Sequence, residues 1–379
     1  MASCTCMHAW RIDNPSPPAG RRSPMNKQEA ISKLKSEPLA VEPDQEFEVR
    51  RMLPEDAWGV ARCFYAVYGE HYPFDTYYIP DKLIRENENG NVISVVARVG
   101  GGAVIGYGAL YRSSAYFPGT YEIGQALVLP EYRHTFAALC MQDHLLELLD
   151  SIEDVHELFG EAVCNHVISQ KLMVLAGLEE TGLELGLMPA EAFNDLEFPG
   201  SRVSTLLGFR TVRDRAHDIY VPGEYAGALE FIVSGLDVSR NLLESRGYIH
   251  DSSTELVPQY IDHAHVARFN LNRAGEDLPQ VHAGTEEEAR NRKARVMQVF
   301  VNLGDPGSGR AVELLRGRGY FFGGFLPRWF DTDGLLMQKL DTLPHFESIK
   351  LTSDRARRIL DLVREDIERN PACRYLLGK

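Results

Sequence analysis

The 379-residue chain sets forty basic against fifty-four acidic side chains, a net charge of −14, with 44% hydrophobic and 25% charged residues. That balance is typical of a globular protein with apolar residues enough for more than one core, and the lack of any Lys/Arg block removes the footprint of a nucleic-acid or anionic-membrane partner. No apolar run approaches the roughly 20 residues of a membrane helix, and "MASCTCMHAWRIDNPSPPAGRRSP" has no signal-like apolar centre, so a cytoplasmic protein is expected.

Residues 1–44 are polar and proline-rich and are expected to form a mobile leader. Within it Cys4, Cys6 and His8 are soft ligands without a fourth partner, so an unstructured tail is expected there and no metal. Cys63, Cys140, Cys164 and Cys373 have no framework spacing and sit in apolar patterns, which reads as reduced core thiols.

Order is expected from about Glu46. "EFEVRR" alternates as a strand, and "LPEDAWGVARCFYAVYG" follows as a helix opened by Pro54, with Trp58, Ala61, Phe64 and Tyr65 at helical spacing. In "FYAVYGEHYPFDTYYIP" the rings of Tyr65, Tyr68, Tyr72, Phe74, Tyr77 and Tyr78 crowd together. Tyr68, Tyr72, Tyr77 and Tyr78 suit a pocket wall that buries a small substrate and still hydrogen-bonds it, while Tyr65 and Tyr68 suit core packing equally. "NVISVVARVGGGAVIGYGALYR" is a hairpin turned by Gly100, Gly101 and Gly102.

"YEIGQALVLPEYRHTFAALC" then runs a strand into Pro130, an arginine and a helix whose stripe is Phe136, Leu139, Cys140, Leu146 and Leu149. Such a junction directs unpaired backbone N–H groups beyond the strand end, where an anion is favoured. "ELFGEAVCNHVISQKLMVLAGLEETGLELGLMP" repeats strand and helix, with Asn165 as cap, Ile168, Leu172, Leu175 and Ala176 on the packed side, Gly177 as stop, and a strand to Pro189. This order predicts an α/β fold: a mixed, mostly antiparallel sheet with helices on both faces.

The remainder repeats the pattern more faintly. "HDIYVPGEYAGALEFIVSGL" reads as strand and helix, and "VMQVFVNLGDPGSGRAVELLRGRGYFFGGFLP" as strand, turn, helix, glycine, strand and proline. "DGLLMQKL" is a closing strand, and "SDRARRILDLVREDIERN" a terminal amphipathic helix. Gly177 to Pro189 matches Gly319 to Pro327 in element order, which points to a degenerate duplication. Two units, 45–214 and 215–379, each with its own sheet, are expected.

The run "ALVLPEYR", after a hairpin and before a helix, resembles the central motif of the GCN5-related N-acetyltransferases, and "NHVISQKLMVLAGLEETG" is similar to their following helix. The resemblance covers residues 46 to 214, and a tandem arrangement also occurs in that superfamily. It implies acetyl-CoA or another acyl-CoA as cofactor, a strand splayed from its neighbour so that unpaired backbone binds the pantetheine arm, and a loop whose N–H groups hold the pyrophosphate. Leu127, Val128 and Leu129 would then face pantetheine. Arg133, His134, Thr135, Phe136, Ala137 and Ala138 would wrap the phosphates, with Arg133 adding formal charge, and Asn165 and Ser169 would contact the cofactor. The loop departs from the family pattern, having Phe136 where a glycine is usual.

Acyl transfer to an amine needs a base for the amine and an acid for the leaving thiolate. Glu122 lies on the strand beside the acyl group and is either that base, acting through a water, or a surface strand residue. His166 is a second catalytic candidate, or a surface cap. The tyrosine that many relatives carry on the later helix is replaced by Leu172, Met173 and Val174. Cys164 has nothing beside it in sequence to lower its pKa and reads as inert core. The expected function is an acyl-CoA-dependent N-acyltransferase for a small amine or amino-acid-like acceptor. The alternative is a catalytically silent acyl-CoA sensor or protein-interaction module.

Overall fold

Alternating apolar strands and one-sided helices succeed one another along the chain in two similar passes. In this computed structural model, residues 25–378 are described apart from 38, 71, 73, 191–199, 246, 248 and 249. The first pass consists of α1 (Lys27–Ser36), β1 (Phe47–Arg51), α2 (Ala57–Tyr68), α3 (Pro80–Glu88), β2 (Val92–Val99), β3 (Val104–Tyr111), β4 (Thr120–Val128), α4 (Ala137–Leu148), β5 (Glu157–Val163), α5 (Ile168–Leu175), β6 (Glu179–Met188) and β7 (Val203–Thr211). The second consists of β8 (His217–Val221), α6 (Ala226–Val233), β9 (Arg240–Glu244), β10 (Glu255–Ile261), β11 (Val266–Arg273), α7 (Leu278–Asn291), β12 (Val296–Asn302), α8 (Ser308–Gly317), β13 (Phe321–Leu326), β14 (Gly334–Leu340) and α9 (Asp354–Arg369).

The two expected sheets are one. Twelve strands pair in the order β1-β2-β3-β4-β5-β7-β6-β13-β14-β12-β11-β10, while β8 and β9 form a separate parallel pair. Read outward from the middle, β6-β7-β5-β4-β3 and β13-β14-β12-β11-β10 are the same topology, each with one parallel step, β4 to β5 and β11 to β12. The halves meet where Gly182 of β6 pairs antiparallel with Gly324 of β13. Both glycines sit at a register shift against the next strand, so a local two-fold axis runs between them. Only glycine permits this join: a Cβ on Gly324 would lie 2.3 Å from the Gly182 Cα, and one on Gly182 would lie 2.9 Å from the Gly323 carbonyl oxygen. Sequence periodicity cannot reveal such a contact, because it joins residues far apart in the chain.

In the first half, helices cover both faces. Phe64 of α2 packs at 5.4 Å on Tyr107 and 4.6 Å on Tyr77, and on the opposite face Met141 of α4 presses on Gly106, where an added Cβ would be 2.9 Å from its methyl carbon. The helices α6 to α9 share a larger core with β6, β11, β12, β13 and β14. A third cluster, of Phe159, Phe209, Phe300, Leu326, Trp329 and Leu336, fills the concave side of the sheet between the halves.

That concavity is deep. Arg268 of β11 bonds Glu161 of β5 at 2.8 Å, although β5 and β11 lie six steps apart in the sheet, about 29 Å if it were flat. The β3–β4 connection closes the gap: the Phe117 N–H donates to the Trp329 carbonyl at 2.9 Å, and Asn270 Nδ2 to the Ser114 carbonyl at 3.1 Å.

Several sequence expectations are corrected. The leader contains an ordered helix, α1, held by a capping box between Asn26 and Glu29 and burying Ala30, Ile31 and Leu34; residues 1–24, with Cys4, Cys6 and His8, lie outside the described residues. The buried residues of α4 are Ala137, Met141 and Leu145; of the expected stripe Leu149 is buried, Leu139, Cys140 and Leu146 are half-buried, and Phe136 is 75% exposed. In α5 the buried residues are Gln170 and Met173, whereas Ile168 and Leu175 are exposed, because Met173 fills the space left by Gly208. Strand β7, unassigned from sequence, inserts between β5 and β6.

Candidate active site

The site is built where β4 and β5 part. They pair in parallel at only three positions, Thr120 with Glu157, Tyr121 with Leu158 and Glu122 with Phe159. Beyond Glu122, β4 continues to Val128 against β3 and β5 to Val163 against β7, without pairing to each other. The cleft thus opens at Glu122, flanked by backbone donors and acceptors that no strand among the described residues satisfies. Gln125, inside β4, has φ of 53°, and the register against β3 slips between Tyr107 and Ala109: a bulge that turns the rest of β4 away from β5.

At the crotch the carboxylate of Glu122 accepts a hydrogen bond from the Tyr111 hydroxyl. Glu122 is deeply enclosed but retains some accessible surface. Burial, joined by the neighbouring Glu161 charge, pushes its pKa up to about 8, against the opposing pull of Tyr111, Ser113 and Arg268. Burial first, and then the Glu122 charge, raise Tyr111 well above the usual phenol range. Glu184 is pushed up to about 7 by burial and by Glu161.

Four of the candidate residues sit together at the end of α2 and in the segment after it. Tyr72 is half-buried against Phe64, Tyr68, Phe74 and Tyr77, at 4.8 to 5.9 Å between ring centres, and with Tyr77 it lies within electrostatic reach of Glu122. Tyr68 is 40% exposed and feels the charge of Arg133. Tyr77 and Tyr78 are buried. The Tyr78 hydroxyl donates to the Gly69 carbonyl at 2.8 Å and accepts from the Tyr72 N–H at 3.0 Å, so it holds the loop.

At the far end, Pro130–Tyr132 form a single turn before α4. The N–H groups of Arg133 and Thr135 are spent on Pro130 and Tyr132, and that of Ala137 on the Thr135 hydroxyl. Those of His134, Phe136, Ala138 and Leu139 have no acceptor among the described residues. Four unspent donors at a helix start suit an anion, and the exposed Phe136 ring is turned out to solvent. Arg133 donates from Nε to the Val128 carbonyl at 3.3 Å. Leu127 and Leu129 are buried, so β4 offers the cleft its backbone and the half-buried Val128. Asn165, past the end of β5, has a buried side-chain oxygen without a partner. These features fit the thioester cofactor that the resemblance implies.

Other candidates lie elsewhere. His166 is exposed, and its Nδ1 accepts from the Ile168 N–H at 3.3 Å, capping α5. It follows the end of β5, more than about 13 Å along the strand from the position facing Glu122. His134 pairs with Asp44 at 3.1 Å on the surface. The Ser169 hydroxyl donates to the Val163 carbonyl at 3.3 Å. Cys63, Cys164 and Cys373 are buried free thiols, and burial pushes Cys164 up to about 12. Sequence reasoning missed Tyr111, Glu161 and Arg268. Tyr111 closes an apolar strand and Glu161 interrupts one, and those polar interruptions were the available signal.

The two halves share a strand order, and in the first the parallel pair β4/β5 parts after three positions, as the resemblance to the GCN5-related N-acetyltransferases implies. No family model matches the chain, and no curated protein does. Among solved structures it is similar to an acetyltransferase of the GNAT family from Desulfovibrio desulfuricans, with 16% identity, 44% of this chain and 99% of that one covered, and a TM-score of 0.33. It is likewise similar to mutant forms of the spermidine/spermine N-acetyltransferase of Vibrio cholerae, at 14%, 44%, 95% and 0.34, and to an N-acetyltransferase from Staphylococcus aureus, at 12%, 45%, 100% and 0.36. Among the described residues no helix is long and apolar enough to cross a membrane.

Proposed function

We propose that the protein is an acyl-CoA-dependent N-acyltransferase acting on a small amine by direct attack, with the chemistry in the first half. The observation that supports this most is the position of Glu122 at the point where β4 and β5 separate. An arm bound along the unpaired backbone of the cleft, with its phosphates at the start of α4, would bring its reactive end to that carboxylate. The cofactor would supply an activated acyl group as a thioester.

The chain's own residues have the remaining tasks. Glu122, held by Tyr111, takes the proton that the amine loses as its nitrogen bonds to the acyl carbon and the carbon–sulfur bond breaks, the thiolate departing with CoA and taking its proton from water. A base works best with a pKa near the working pH, and a value of about 8 places Glu122 in that range. It acts as a base once ionised, so the rate should rise with pH through about 8. Tyr72 and Tyr68 wall the acceptor side, and Arg133 with the free N–H groups of the α4 start holds negative charge. The second half closes the acceptor wall, with the Phe74 ring 6.0 Å from that of His263.

Calorimetry with acetyl-CoA and longer acyl-CoAs, followed by turnover with an amine panel at pH 7 and pH 9, tests the proposal. Binding and turnover are expected. No heat with any acyl-CoA would remove the cofactor and the reading with it. Binding without turnover of any amine would leave a silent acyl-CoA module, the reading that the absence of glycine at Phe136 favours.

A further inference from the structure

The two-fold relation assigns every position of one half a counterpart in the other. Gly182 pairs with Leu207, Leu207 with Glu161, and two residues before Glu161 stands Phe159, which pairs with Glu122. The parallel path runs from Gly324 to Leu336 to Phe300, then two residues back to Gln298, which pairs with Arg268. Arg268 therefore occupies in the second half the place that Glu122 occupies in the first.

It does not stay in its own half. Burial works against the charge of Arg268, and Glu161 and Glu184 more than offset this. Its Nε donates to Gln298 Oε1 at 2.8 Å and its Nη1 to the Ser114 hydroxyl at 2.6 Å. Its Nη2 reaches Glu161 at 2.8 Å and Glu184 at 3.0 Å. Glu184 is fixed in turn by Gln298 Nε2 and the Thr205 hydroxyl, each at 2.8 Å. One guanidinium thus ties β11 and β12 to β5, β6 and the β3–β4 connection.

We propose that the reaction chamber is composite: Arg268, supplied by the second half, is a positioning residue that fixes Glu161 beside Glu122 and provides the positive charge against which Glu122 ionises. This rests on Glu122 being the base of the proposed transfer. The groups facing Glu122 are Tyr111 from β3, Ser113 from the β3–β4 connection, Tyr72 and Tyr77 from the segment after α2, Glu161 from β5, and Arg268 from β11. Of these, Arg268 alone carries positive charge. A buried guanidinium with every bond directed at a carboxylate, an amide or a hydroxyl has a fixed place, so its effect on Glu122 does not depend on side-chain mobility.

Glu161→Gln removes the like charge beside Glu122 and leaves Arg268 in place, so the ionisation of Glu122 should move to lower pH by roughly one unit. Glu161→Gln/Arg268→Gln removes both charges together and should bring it back up by a similar amount. Two readouts follow it: the pH dependence of kcat/KM, and the carboxyl resonance of Glu122 in 13C-glutamate-labelled protein, identified by its loss in Glu122→Gln. Acetyl-CoA affinity should not change in either variant. Coincident titration of the single and double variants would overturn the proposal. If the double variant does not fold, Glu161→Gln decides alone, and no downward shift overturns it. Absence of turnover in all variants with the resonance shifts intact would count against the transferase reading and uphold the positioning role.

Discussion

The two halves share a strand order and differ where it matters for chemistry. In the first, the parallel pair β4/β5 is closed for three positions and then open. In the second, β11/β12 pairs at six positions, from Val266 with Val296 to Leu271 with Val301. The closed end is also clamped: Asp305 accepts from the Ala274 N–H at 2.8 Å and the Gly307 N–H at 2.9 Å and meets His250 Nε2 at 2.6 Å, while Asn302 Nδ2 reaches the Asn272 carbonyl at 3.1 Å. The open cleft is therefore a property of what the chain does past the crotch, and the shared topology does not by itself provide one. The second half has exchanged the cleft for a zipped pair and the carboxylate for an arginine.

The sharpest test of this contrast is Glu122→Gln. The amide is nearly isosteric, so fold and acetyl-CoA affinity should persist while kcat falls by roughly 10²–10⁴, the range for a lost general base. A steady-state pH profile would also lose its rise near pH 8. Unchanged turnover would dissolve the distinction between an active and an inactive crotch. Next in size is Gly324→Ala at the join. Backbone atoms surround that position and can yield only by prying β6 from β13, so urea unfolding should show a loss of about 2–3 kcal/mol. A neutral result would mean that the halves are held together elsewhere.

Arg133→Ala should weaken acetyl-CoA binding by about 1.5–3 kcal/mol, the range for a hydrogen bond to a charged group, when titrated by calorimetry. An unchanged Kd would place the phosphates away from the α4 start. The smallest expected effect is a pH slope in stability. Glu122 and Glu184 have pKa values raised to about 8 and about 7, so the folded state binds protons that the unfolded state has released. Their contribution is fully present below the unfolded carboxylate value of about 4.5 and is lost as pH rises through 7 and 8. The melting temperature should decline between pH 5 and 9, and less steeply in Glu122→Gln.

Much of the first half was legible in the sequence, because each strand and helix there announces itself locally: Pro130 ends β4, Gly177 ends α5, and Glu122 sits on the strand that leads to the junction. Helix faces were less legible. Phe136, Ile168 and Leu175 look like core residues by hydrophobicity alone, and they are exposed since the sheet positions opposite are glycines that admit Met141 and Met173 instead. Least legible were features made by long-range pairing. Nothing local in "VARFNLNR" distinguishes Arg268 from a surface strand arginine, and the contact of Gly182 with Gly324 depends on two distant bulges arriving in register. His166 was misplaced because proximity in sequence to the cleft is not proximity to its crotch.

The join at Gly182 and Gly324 also bears on how the protein behaves at low concentration. Two copies of a symmetric partner meeting edge to edge would separate on dilution, and any chamber shared between them would empty of its foreign side chain. Here the partners are tethered in one polypeptide, so the second is presented to the first at an effective concentration set by the connecting chain and independent of how much protein is present. The arginine delivered across the axis is therefore in place in every molecule, at nanomolar as at millimolar concentration, and specific activity should be constant over that whole range.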